Sequence, residues 1–334
     1  MHSFADFFSG RRIASAMLMT VFALFAGSAQ AEKVRVAIPT ASPGSAFFIL
    51  ALQKGYYVEE GLDIEAQVAG GGIAVPGLIS GDLQFSLSTG ASISAILKGA
   101  KLKIVMITQD RPGGQVWGIK PEIKSLADLK GTQVGIQSRG DTGEIAILSL
   151  LKAKGLPKDH LGFTPMGTDV NRLAALKSGA LPTVQLSWFG IEELGKVPGA
   201  HDVIDLFAEV RMPYAGLVTS DAVIANHPDV LAKMIRGSLK GVAYEKAYHD
   251  ESVKIIADYG KLSPSQTVFD FDRVLLSAIP DNMGSVEMQE NEVALRADLL
   301  EIPKDKILPA SGVYNFAALK KANQDLKDWK PPSP

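Results

Sequence analysis

Apolar and polar residues alternate over residues 33–39 (KVRVAIP), and this period of two, in a run rich in Val and Ile, predicts a strand. After the loop 40–44 (TASPG), the apolar stretch 45–54 predicts a helix stopped at Gly55. Residues 62–68 predict a second strand, and Gly70-Gly71-Gly72 a tight turn into a helix that ends near Ser80-Gly81. Residues 84–88 predict a third strand, Thr89-Gly90 the opening of a helix ending at Gly99, and 102–108 a fourth strand. Strand and helix alternate with short loops, as in a βα unit with a mostly parallel sheet.

A second unit of the same build follows residues 125–131 (SLADLKG). Strands are predicted at 132–137, 161–164 and 183–187, and helices at 141–154 and 169–178. In the first of these helices Ile145, Leu148 and Leu151 form one stripe, and Gly155 ends it. The segments 78–83 (LISGDL) and 176–181 (LKSGAL) share the pattern L-x-S-G-x-L, each ending a helix just before a strand, which suggests two lobes of similar build. After a β-like run at 214–219 the pattern turns helical, over 228–248, 251–259, 264–278, 286–299 and 315–327. Val230, Leu231, Met234, Ile235, Leu239 and Val242 make one apolar face. The tail KPPSP is expected to be loose.

The first 31 residues read differently. Arg11-Arg12 precede an apolar run over 13–25 and then Ala29-Gln30-Ala31, the pattern of a secretory signal peptide cleaved after Ala31. The apolar run is shorter than the ~20 residues that span a bilayer. The arginine pair is a weak pointer to twin-arginine export, and its flanks add nothing to it, so the general secretory route is favoured. The chain remaining after cleavage carries 32 basic and 35 acidic residues, a net charge of −3, which gives no basic field for nucleic acid. There is no cysteine, so disulfides, thiolate catalysis, cysteine metal sites and a lipid-modified cysteine are all excluded. A soluble protein released into the periplasm, without stable membrane insertion, is expected.

Several stretches, in order, resemble the periplasmic solute-binding proteins of nitrate, sulfonate and taurine uptake and their thiamine-precursor relatives. They are ALQKGYYVEEGLDIEAQVAGGG, LISGDLQFSLSTGASISAILKGAKLKIV, IKSLADLKGTQVGI, LLKAKGL and SDAVIANHPDVLAKMIR. The resemblance covers most of residues 33–250; beyond that the match is only one of helices. It implies a type 2 periplasmic-binding fold: α/β, two lobes, each a mostly parallel sheet flanked by helices, joined by two hinge crossings. It implies a monomer that closes on a ligand and docks on an ABC permease served by a separate ATPase subunit. The crossings are expected near 114–119 and 211–216. Lobe one then comprises 32–116 and 214–334, with the last helices returning to it, and lobe two 117–213.

In open α/β sheets ligands sit beyond the carboxyl ends of strands, where free helix N–H groups favour anions and polar acceptors. The candidates are therefore Thr40, Ser42 and Gly44; Gly71 and Gly72; Thr89 and Gly90; Ser138, Arg139 and Thr142; Thr168; Trp188; and Tyr214. Each has a plain structural alternative as turn, cap or core residue. Arg139-Gly140-Asp141 could also be an adhesion tripeptide, but three residues recur by chance, and no Gly-Lys-Ser/Thr follows to make a phosphate loop. Asp141 or Thr142 is expected to cap the helix, with Ser138 and Arg139 facing the cleft. Asp141 beside Arg139 could also neutralise it. Many relatives carry an acidic residue after the helix and a tryptophan-acid-proline set after the next strand. Here Pro182 and Ser187-Trp188-Phe189 stand instead, which leaves the ligand chemistry open.

The five histidines form no metal spacing, and no nucleophile elbow or dinucleotide fingerprint occurs. The pyrimidine-synthase relatives use a cysteine cluster that this chain lacks. No catalytic residue, cofactor or metal is expected. The expected function is capture of a small anion of sulfonate, carboxylate or nitrate type, with a thiamine-type pyrimidine or other aromatic heterocycle as the alternative. An exported enzyme on this fold, or a sensor subunit docking on a receptor kinase, stands as the reading of another class.

Overall fold

In the computed structural model, which describes residues 31–187 and 191–334, the strands sort into two five-stranded sheets. β1 (Glu32–Ile38), β2 (Leu62–Val68), β3 (Phe85–Ser86) and β4 (Leu102–Gln109) begin the first. β5 (Gln115–Gly118), β6 (Gln133–Ile136), β7 (Gly162–Pro165), β8 (Thr183–Leu186) and β9 (His201–Asp205) build the second. β10 (Tyr214–Ser220) then returns to the first, giving the orders β2-β1-β3-β10-β4 and β7-β6-β8-β5-β9. The predicted and observed strands agree to within two residues at most of their ends, because their buried faces set the register.

Each sheet contains one reversed strand. β10 runs antiparallel to β3 and β4, and β5 antiparallel to β8 and β9; the other pairings are parallel. In both cases the reversed strand is the one arriving directly from the other sheet. The two lobes are thus joined by residues 110–114 and 210–213. The crossings expected at 114–119 and 211–216 are both corrected in detail: residues 115–118 are already β5, a strand too short for alternation to reveal, and residues 214–216 already belong to β10. β9 was also missed, since HDVID mixes polar and apolar residues over only five positions.

Helices follow the strands as predicted. Those after β2 and β7, Gly71–Ser80 and Asp169–Lys177, both end at the shared L-x-S-G-x-L pattern, with Gly81 and Gly179 at positive φ. The helix Pro228–Ala247 buries the predicted face of Val230, Leu231, Met234, Ile235, Leu239 and Val242 on the helix Ala46–Gln53 and the core above the first sheet. The helix Val286–Leu299 does not simply return to lobe one. Its Val293 joins an apolar cluster of the first sheet, while Leu299 joins the core of the second. The tail is partly tied down: Trp329 stands edge-on to Tyr56, and the Tyr248 hydroxyl donates to the Pro331 carbonyl at 3.2 Å. Among the described residues no helix is long and apolar enough to cross a membrane.

Candidate functional site

A cleft of about 660 Å³, including its open mouth, lies where the carboxyl ends of β1, β3, β6 and β8 meet the crossing into β10. Of the candidates read from sequence, Thr40, Gly44, Thr89, Gly90, Thr142 and Tyr214 line it. Ser42 stands just behind, its hydroxyl 2.6 Å from that of Thr40, so the two hydroxyls orient each other.

Two helices start here and face each other. Thr89–Leu97 begins at Ser88, whose side chain caps nothing; its hydroxyl is buried against the cleft without a partner. Thr142–Ala153 is the opposite case. Asp141 is its cap, accepting from the Glu144 amide at 2.8 Å and the Ser138 amide at 2.9 Å, and Glu144 reaches back to the Gly140 amide. This D-x-x-E arrangement caps the Glu144 amide and ties down the preceding loop, while the amides of Thr142 and Gly143, both lining the cleft, have no partner among the described residues. The approach is close: a Cβ on Gly90 would collide with Thr142 Oγ1 and lie 2.7 Å from its amide nitrogen, so only glycine fits there.

Arg139 is placed elsewhere. It is 61% exposed, ion-paired with Glu144 at 2.9 Å and stacked over the Phe163 ring, on a groove distinct from the cleft. Its predicted partner, Asp141, is consumed by backbone amides. Gly71 and Gly72 lie behind the cleft, where they let their helix approach Ala91 and Ser138. Ser138 is buried there without a side-chain partner. Thr168 begins the helix Asp169–Lys177 but does not line the cleft. Trp188 lies outside the described residues.

The cationic residue of the cleft is Arg172, which the sequence reading did not select. It is 2% exposed, donates to the Gly167 carbonyl at 2.6 Å and pairs with Asp169, while its Nε has no partner. Asp169 in turn accepts from the Ser187 amide and hydroxyl. Its signal was present as Asp-x-x-Arg in the first turn of a post-strand helix. Gln185 was missed too, although a glutamine inside the buried run TVQL is a polar residue needing a reason.

Electrostatics at the site favour donors. Burial raises the Tyr214 phenol, and Asp169 and Asp141 raise it further, so it remains a neutral hydroxyl able to donate. Burial also pushes the Asp141 carboxyl up, against the opposing pull of the Glu144 and Ser138 amides. Asp141 and Asp169 have already given their oxygens to internal donors. The capacity left open is on the Ser88 hydroxyl, the uncapped end of Thr89–Leu97, the Thr142 and Gly143 amides and the Arg172 Nε.

The profile of a family described as "NMT1/THI5 like" matches residues 42–252. The riboflavin-binding protein RibY of Chloroflexus aurantiacus is 28% identical over 220 residues, or 61% of this chain; the match spans only 60% of RibY's own length. Two solved structures share the fold. The alkanesulfonate-binding protein SsuA of Xanthomonas axonopodis pv. citri, bound to MOPS, superposes with TM-score 0.70 at 18% identity, over 84% of this chain and 98% of that one. The periplasmic nitrate-binding protein NrtA of Synechocystis PCC 6803 gives TM-score 0.74 at 13% identity, over 89% and 90%.

Proposed function

The chain belongs to the NMT1/THI5-like family, and from that premise we propose that it is the extracytoplasmic solute-binding subunit of an ABC importer. Residues 1–31 direct export to the periplasm, the two lobes capture a small anion between them, and the loaded protein delivers it to a permease with its own ATPase. The observation that carries the ligand class is the unused donor capacity of the cleft. The Ser88 hydroxyl, the open helix end beside it and the buried Arg172 Nε all seek an acceptor. A sulfonate, carboxylate or nitrate oxygen meets that need. Thr40, Thr89, Gly90, Thr142 and Tyr214 are proposed as further contacts.

A second reading is an aromatic heterocycle with ring carbonyls, of the riboflavin or pyrimidine kind. It is supported by the similarity to RibY and by charge. Arg172 is already matched by Asp169, and Asp141 also lines the cleft, so these three groups sum to −1. A thermal-shift panel of alkanesulfonates, carboxylates, nitrate, riboflavin and pyrimidines separates the two. A binder at a hundredfold excess over Kd adds about 2.7 kcal/mol of apparent stability. Shifts confined to the heterocycles would sink the anion reading. Consumption of a panel compound by the pure protein would replace binding with catalysis.

A further inference from the structure

Behind the cleft, a buried arginine touches both of the segments that open its two facing helices. Arg296 lies on the helix Val286–Leu299, is 0% exposed, and pairs with Glu292 one turn earlier. Its Nη1 is 2.9 Å from the Gly90 carbonyl, 2.8 Å from Ser94 Oγ and 2.9 Å from the Gly140 carbonyl. Gly90 and Ser94 belong to the first lobe, and Gly140 to the loop after β6 in the second. Ser94 Oγ also donates to the Gly140 carbonyl at 2.6 Å. Gly140 has φ +74°, and a Cβ on it would lie 2.9 Å from the Ser94 Cβ. The Arg-Gly-Asp stretch is therefore an inter-lobe contact, with its glycine carbonyl turned inward.

Stability alone is a poor explanation for this arrangement. Burying two charges costs several kcal/mol per ion before their attraction repays it, and apolar replacements of buried ion pairs are often neutral or better. Here the Nη2 is also left without a partner. An apolar side chain could fill the volume, but it could not bond to carbonyls on two different lobes. The hydrogens of Nη1 lie in the rigid guanidinium plane, held in turn by the Nε–Glu292 pair, so this one nitrogen fixes the relative positions of the Gly90 and Gly140 carbonyls. The host helix straddles the lobes as well, with Val293 in one apolar cluster and Leu299 in another.

We infer that Arg296 is a positioning residue for the cleft: it pins the start of Thr89–Leu97 to the loop that precedes Thr142–Ala153, and so sets the spacing of the lobes. The pin acts beside the two chain crossings and the Ser94–Gly140 bond as a non-covalent connection between the lobes. It concerns lobe spacing and does not depend on which solute binds.

The test uses the absence of native cysteine. Spin labels are placed through Ile79→Cys and Val170→Cys, both exposed and on helices of opposite lobes. Distance distributions are measured on the ligand-free protein. With Arg296 present, one narrow population is expected. Arg296→Met should add a longer-distance population while the far-ultraviolet circular dichroism stays unchanged. Arg296→Lys keeps the charge beside Glu292 and should restore part of the narrow population. If Arg296→Met fails to fold, Arg296→Lys is compared with the parent directly, and a broadened distribution is expected. A folded variant with the parent's narrow distribution, in Met or in Lys alone where Met does not fold, overturns the inference. A null result in the solute panel would leave this measurement intact.

Discussion

The helices Thr89–Leu97 and Thr142–Ala153 present their N-termini to the same cleft, yet only the second carries a side-chain cap. At the first, the residue in the cap position is a serine whose hydroxyl bonds to nothing. At the second, Asp141 and Glu144 take up the amides of Ser138, Gly140 and Glu144. A side-chain cap therefore does not by itself exhaust a helix N-terminus: the Thr142 and Gly143 amides stay without a partner among the described residues, as the Gly90 and Ala91 amides do at the uncapped end. The cap at the second end has a further purpose, holding the loop that touches Ser94 and Arg296.

The contrast can be broken most strongly at Asp141. Asp141→Ala removes the acceptor of two buried amides and should cost about 3 kcal/mol in urea unfolding, combining a lost cap with an unsatisfied donor. A loss below about 1 kcal/mol would mean that the loop readily finds other acceptors.

Asp270 carries the comparison to a carboxyl whose burial outweighs the support of its neighbours. It is 1% exposed, and burial pushes it up to about 7, against a partial pull from Gln266 and Arg273. Glu245 is likewise pushed up to about 8 by burial. A folded-state value above the unfolded one means that the folded chain holds its proton more tightly. Stability from these groups is therefore full below about pH 4, falls as pH rises toward 7 to 8, and levels off above. Asp270→Asn should stabilise by about 2 kcal/mol at pH 8.5 and by much less at pH 4.5, read from unfolding midpoints. Equal effects at both pH values would show that the carboxyl does not titrate in this range.

Ser88→Ala separates binding from folding. Removing a buried hydroxyl with no partner should leave stability unchanged or raise it by up to about 1 kcal/mol. Affinity for the strongest binder in the solute panel should fall by about 1 kcal/mol, read by calorimetry. Retained affinity would place the solute away from this helix end. The smallest effect on affinity is expected at Arg139→Ala. Its partner Glu144 is buried and keeps the Gly140 amide, so stability should fall by about 1–2 kcal/mol, while affinity should not change, in contrast to the roughly 2–5 kcal/mol of affinity that truncating a buried pair with the ligand would cost.

Much of the fold was legible in the chain. The alternation of KVRVAIP, the apolar face of 228–247 and the repeated L-x-S-G-x-L pattern each appear as elements at the expected places. The short strands β5 and β9 were not legible, because four or five residues carry too little periodicity. At the cleft, Thr40, Gly44, Thr89, Gly90, Thr142 and Tyr214 followed from their places after strands or at the return crossing. Arg172 and Gln185 did not, since their roles depend on which face of a helix or strand meets the other lobe.

By itself, the sequence determined the elements, their alternation and the loops in which a site could form. Those properties are set by neighbours a few residues apart. The tertiary structure decided which polar groups remain free. Arg139 and Arg172 both stand near the start of a helix that follows a strand, and only packing turns one outward to Glu144 and buries the other in the cleft. The same holds for Arg296. It lies 206 residues from one carbonyl it holds and 156 from the other, a separation that no local pattern reports.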